Sequence, residues 1–102
     1  MAGFIQVIEY QTSRPEEVDE LSEQYRKSRE AGGDGPAPSQ AITGADRDRP
    51  GHYFTIVEFA SYDAAMENSA RSDTSEFAAK MMELCDGQPT FRNLDITQSM
   101  KF

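Results

Sequence analysis

The chain has 102 residues, the size of one domain (residues 1–102), and surface scaling lets such a chain bury a little over about 60% of its unfolded surface, enough for one thin core of two layers. Its 18 acidic side chains outnumber 10 basic ones, and a net charge of -8 repels phosphate backbones and anionic lipid, so no nucleic-acid or membrane partner is expected. The lone Cys85 excludes an internal disulfide, and the N-terminus lacks the basic flank and long apolar run of a signal or membrane span, so a cytoplasmic location is expected.

The first predicted strand covers residues 3–11 (GFIQVIEYQ), with Phe4, Ile8 and Tyr10 on one face, Ile5 and Val7 on the other, and Gln6 and Glu9 interleaved. Ser13-Arg14-Pro15-Glu16 then has the spacing of a capping box, with Pro15 suited to a first turn whose amides need no internal partner. A helix is expected over residues 15–30, where Val18, Leu21 and Tyr25 form a buried stripe against an acidic, solvated remainder. The glycines and prolines of residues 32–38 cannot sustain regular structure, so this segment reads as a surface loop and a candidate lid.

Residues 39–44 are expected to form a second strand, joined through a polar connection at 45–51 to a third at 52–59 (HYFTIVEF). Ser61 supplies the N-cap of a second helix carrying Ala64, Ala65 and Met66. Residues 72–76 restart helix, with Asp73 and Glu76 at capping-box spacing; Phe77, Met81 and Leu84 form its stripe, Gly87 suits its C-cap, and Pro89 blocks continuation. Residues 90–99 make the last strand, with Phe91 opposite in face to Leu94 and Ile96.

The order β-α-β-β-α-α-β predicts an α+β, ferredoxin-like fold: a four-stranded antiparallel sheet with helices on one face. Helices cover one face only, yet strands one and three carry large apolar residues on both, so a monomer would leave one face bare. Pairing of two sheets as a homodimer hides it, and burying about 500 Å² of apolar area per subunit contributes roughly 12 kcal/mol before association entropy is subtracted. The alternative is that some aromatics stay half exposed at strand ends.

Ile5-Gln6-Val7-Ile8-Glu9-Tyr10, then Tyr53-Phe54-x-x-Val57-x-Phe59-x-Ser61-x-x-Ala64, then a further helix and a closing strand, resembles the dimeric α/β-barrel superfamily, in particular its antibiotic-biosynthesis-monooxygenase-like branch. The resemblance spans nearly the whole chain and implies the fold more strongly than the function. It implies either a cofactor-independent oxygenase acting on a small aromatic or polyketide-like molecule, or a non-catalytic dimeric module that binds a small ligand or a partner. Haem degradation ranks third. By similarity, Gln6 falls where haem-degrading relatives place an Asn facing the cleft between sheet and helices. Asn68 falls where relatives often carry a Trp, which this chain lacks. Phe77 falls near their axial His, and Phe cannot ligate iron.

Cofactor-free oxidation asks for an apolar cavity, a proton acceptor and donors that stabilise an enolate. The catalytic candidates are Gln6 and Asn68 as amide donors and His52, the only imidazole, as acceptor; Tyr10, Tyr25, Tyr53, Phe77 and Met81 are candidates for lining the substrate site, and Tyr62 is a further phenol. Each has a plainer reading: His52 as a turn histidine after Pro50-Gly51, Gln6 as a satisfied strand residue, Asn68 as a helix stop, Tyr25 as a core anchor, and the methionines as adaptable filler. One His and one Cys fall short of the ligands a zinc site needs, and no phosphate loop, nucleophile elbow or dinucleotide fingerprint occurs, so no metal or cofactor is expected.

Overall fold

The computed structural model describes residues 3–32 and 38–102, and the side chains of all of these except residues 30–32. The elements are β1 (Phe4–Gln11), α1 (Pro15–Gly32), β2 (Gln40–Ala45), β3 (His52–Phe59), α2 (Tyr62–Ser69), α3 (Ser72–Leu84) and β4 (Thr90–Asp95). The expected order and element types hold, and the four strands form one antiparallel sheet in the order β2-β3-β1-β4. Most of the expected glycine-rich loop, residues 33–37, lies outside the described residues.

Register and burial together assign the two faces. Phe4 pairs with Phe59, Gln6 with Val57, Ile8 with Thr55 and Tyr10 with Tyr53, and paired residues share a face. Phe4, Tyr10 and Phe59 are buried, and Phe4 and Phe59 cluster with Ala65 of α2, with Val57 and Met66 packed against them. Even-numbered residues of β1 therefore face the helices. Each such aromatic contributes about 1.5–3 kcal/mol through its removal from water. Ile5, Val7, Phe54, Ile56, Ile42 and Leu94 lie on the opposite face, where Ile42, Ile56 and Leu94 are exposed. The apolar second face expected from the alternation is present and bare.

Several local expectations are corrected. The chain turns into α1 on Thr12 in place of Ser13: the Arg14 N–H donates to Thr12 Oγ1 (3.0 Å), and the Thr12 hydroxyl donates to the Leu84 carbonyl (2.7 Å). Thr12 is buried at the join of β1 and α3, where its hydroxyl satisfies a helix-end carbonyl that Ser13, one residue further out, does not reach. Asp73 lies inside α3, whose N-cap is Arg71; the carboxylate accepts from the Thr74 N–H (2.8 Å) and pairs with the Arg71 guanidinium (3.0 Å). The C-cap is Cys85, and Gly87 takes its positive φ of 106° two residues beyond it. Strand β4 ends at Asp95, short of the expected residue 99, and just past it the Ile96 N–H donates to the Gly3 carbonyl (2.9 Å). The Ser61 cap holds as expected, accepting from the Ala64 N–H at 3.1 Å.

Candidate functional site

The helix-side face of the sheet is closed at its two ends and half open between them. Phe4, Phe59 and Ala65 close one end; Tyr10, stacked on Tyr53 with ring centroids 5.6 Å apart, closes the other. Between them Gln6, Ile8, Thr55 and Val57 are only partly buried, although they face the helices. Two polar pairs cross this floor. Gln6 Nε2 donates to Asn93 Oδ1 of β4 (3.2 Å), and the hydroxyls of Thr43 and Thr55 lie 2.9 Å apart between β2 and β3. Their side chains stand where a fully packed sheet would carry aliphatic residues.

Asn68 is carried by α2, which the tight β3–α2 junction turns back against the sheet. After Ser61 the helix doubles back over the sheet, Ala65 seats on Phe4 and Phe59, and Asn68 follows one turn later on the same helix face. It is 6% exposed, and its Oδ1 is sealed from water without a hydrogen-bond partner. A buried amide oxygen left in this state costs about 1–3 kcal/mol, which a donor on a bound molecule would offset.

The other sequence candidates separate. His52 is on the opposite, bare face, in register with Gln11; its N–H donates to the Arg49 carbonyl (3.1 Å) and its carbonyl accepts from Asp46 (2.8 Å). The sheet stands between its imidazole and Gln6, so the expected grouping of His52 with Gln6 and Asn68 does not form within one chain. Tyr10 is buried on the helix side; burial pushes its phenol upward and the neighbouring Thr55 hydroxyl offsets part of the rise. Tyr53 is the half-buried ring stacked on it. Tyr25 and Phe77 stack at 4.7 Å across the α1–α3 seam, with the Tyr25 hydroxyl 2.7 Å from Thr74 Oγ1, and Met81 follows one turn after Phe77, partly buried. These three belong first to the join between helices.

Asn93, Thr43 and Thr55 were not foreseen as site residues. Alternation alone places each on a face, but only the strand pairing shows which face the helices take. No helix among the described residues is long and apolar enough to cross a membrane, and no cluster of metal-ligating side chains occurs among them. A surface hollow of about 510 Å³ lies elsewhere, at the end of the sheet beside Gly3, Ser39, Ala60 and residues 96–99, and contains none of the candidates.

No family model matches the chain, and no curated protein matches it in sequence. Solved structures do. A Caulobacter crescentus protein provisionally named an antibiotic biosynthesis monooxygenase superposes with a TM-score of 0.79 at 16% identity, covering 95% of this chain and 92% of the other. A variant of SnoaB, a cofactor-independent oxygenase from Streptomyces nogalater, reaches 0.80 at 14% identity over 96% of each chain. A conserved protein from Methanosarcina mazei Go1 reaches 0.77 at 10% identity over 92% of each. Likeness at these identities speaks for the fold: the chain has the α+β, ferredoxin-like fold seen in these antibiotic biosynthesis monooxygenase-type structures.

Proposed function

We propose that the half-open cleft between sheet and helices binds a small aromatic or polyketide-like molecule and promotes its oxygenation without metal or flavin, in a homodimer formed through the bare sheet face. The observation that carries the reading is the sealed, unpartnered Oδ1 of Asn68, one turn along α2 from the Ala65 that packs on the sheet. Amides on floor and roof supply donors and acceptors to a flat molecule while Ile8, Val57 and Met66 offer apolar surface.

The chemistry rests on an acidic substrate. An anthrone-type ring CH₂ loses a proton to give an enolate, and amide N–H groups stabilise the oxyanion. The enolate transfers electrons to O₂; one oxygen atom forms the new ring carbonyl, and the other leaves as water with the two hydrogens of the former CH₂. The chain's part is to hold the anion in a water-poor site and orient it. Burial disfavours the Tyr10 phenolate and His52 faces away, so the proton leaves to solvent or to a second group on the substrate. That lack of a base in the cleft among the described residues favours one second reading, a non-catalytic module of the same fold that binds the same class of molecule.

Anthrone added to the purified protein, with oxygen uptake and quinone absorbance followed together, separates the two. Catalysis predicts uptake that falls about 10-fold or more in Gln6→Ala and Asn68→Ala and is unchanged in His52→Ala. Binding without uptake leaves the module, and neither binding nor uptake sinks both readings.

A further inference from the structure

The cover that the helices give the sheet stops short of β4. On the helix-side face the register sets Phe4 beside Asp95, Gln6 beside Asn93 and Ile8 beside Phe91. Along β1 that face runs from buried Phe4 through half-buried Gln6 and Ile8 to buried Tyr10, whereas all three β4 residues on it are exposed. Phe91 is the sharpest case: it stands on the helix side, yet it is 52% exposed, against 2% for Phe4 on the neighbouring strand. No other ring among the described residues stacks on it. A lone exposed aromatic is ordinary on a protein surface, and what sets Phe91 apart is its neighbours.

Strands lie about 4.8 Å apart, and same-face residues of one strand about 6.7 Å apart, so Ile8, Phe91, Gln6 and Asn93 make one small tile. Half of it is apolar, the cross-strand pair of Ile8 and Phe91. The other half is an amide couple, in which Gln6 Nε2 donates to Asn93 Oδ1 (3.2 Å). That bond holds the oxygen end of the Asn93 amide and leaves both Nδ2 protons for another acceptor.

The chemistry of the tile selects its occupant. A flat aromatic that stacks on Phe91 meets amide N–H groups along one edge only, so the ligand that fits carries an oxygen acceptor at the edge of its ring. A hydrocarbon without that oxygen covers the donors without pairing them, which costs free energy, and a polar molecule without a ring leaves Phe91 in water. The four residues lie on the face opposite to the one that the homodimer reading covers, so pairing of two copies does not fill the tile.

We infer that the ligand enters the cleft over β4, with its ring on Phe91 and its carbonyl oxygen accepting from Asn93 Nδ2, and that Gln6 acts by holding the Asn93 amide in this sense. The inference rests on the cleft reading above and adds the ligand's entry and orientation. Phe91 and Asn93 touch the ligand; Gln6 is a positioning residue.

Fluorescence titration of the full chain with anthrone and with dihydroanthracene, which has a CH₂ where anthrone has its carbonyl, tests it. Phe91 and Asn93 are exposed, and circular dichroism checks that their variants fold. Phe91→Ala is expected to weaken both probes about 10-fold and Phe91→Trp to restore them. Asn93→Asp removes the donors, and Gln6→Glu turns an acceptor on Asn93 so that its amide flips and shows the ligand its oxygen. Each is expected to weaken anthrone about 5-fold or more and dihydroanthracene less than about 2-fold, a selectivity that a merely structural role does not produce. A wild-type chain that binds neither probe overturns the cleft reading and this inference together. A chain that binds anthrone equally well after Phe91→Ala, or that loses both probes alike in Asn93→Asp, overturns this inference alone.

Discussion

The two faces of this sheet reverse the usual arrangement at their centres. The face under the helices carries Gln6, Thr43, Thr55 and Asn93 in its middle, whereas the bare face carries Ile42, Ile56, Leu94 and Phe54. A sheet selected only to fold alone would place these groups the other way round. The polar middle of the covered face keeps space and hydrogen-bonding groups for a guest, and the apolar outer face keeps area for another protein surface. One sheet thus separates two kinds of recognition by nothing more than odd and even positions along each strand.

Truncating one large apolar side chain on each face breaks or supports this division most directly. Phe59→Ala removes a ring 4% exposed within the Phe4–Ala65 cluster and is expected to cost about 3–5 kcal/mol in urea unfolding, whatever the protein concentration. Ile56→Ala, on the bare face, is expected to cost under about 1 kcal/mol at high dilution and more as concentration rises, because only association buries that side chain. Equal, concentration-independent losses would show that both faces are packed within one chain.

Asn68→Leu tests the covered face at a smaller scale. Replacing a sealed, unpartnered amide oxygen by an apolar group of similar volume is expected to stabilise the chain by about 1 kcal/mol while abolishing binding of the aromatic probe. Stability gained with ligand lost is the pattern of a group kept for function. A stability loss in the same variant would mean that Asn68 serves the fold.

The sequence made the architecture legible because strand and helix periods are written residue by residue. The alternation of Phe54 and Ile56 against Tyr53, Val57 and Phe59, followed at once by the Ser61 cap, marks β3 and α2 almost to the residue. The entry to α1 was less legible, since Thr12 and Ser13 have the same chemistry and only the closeness of the Leu84 carbonyl selects Thr12 for the turn before the helix. The site was legible in part. Gln6 stood out as an amide between apolar neighbours and Asn68 by its match to a Trp position of the family it resembles, but Asn93 becomes Gln6's partner only through the β1–β4 register, 87 residues apart in the chain. His52 was read as a site residue on the rarity of its side chain, and a parity of one residue along β3 puts it on the other face.

Tyr10 gives the smallest and sharpest test, because it closes the covered face at the end away from Phe4. Its burial disfavours the phenolate, so its folded pKa stands above the ordinary 10.0 while the unfolded chain titrates near that value. Between the two values the folded state holds a proton that the unfolded state has lost. The resulting stability is complete below about pH 10 and is lost as pH climbs through the raised folded value. Tyr10→Phe removes this component, so the urea midpoint of the wild-type chain should fall faster than that of the variant on going from about pH 9 to about pH 11. Lysines and the other tyrosines titrate in both proteins and cancel in the difference. Parallel curves would mean that water reaches the Tyr10 hydroxyl, and the covered face would then be open at both its middle and this end.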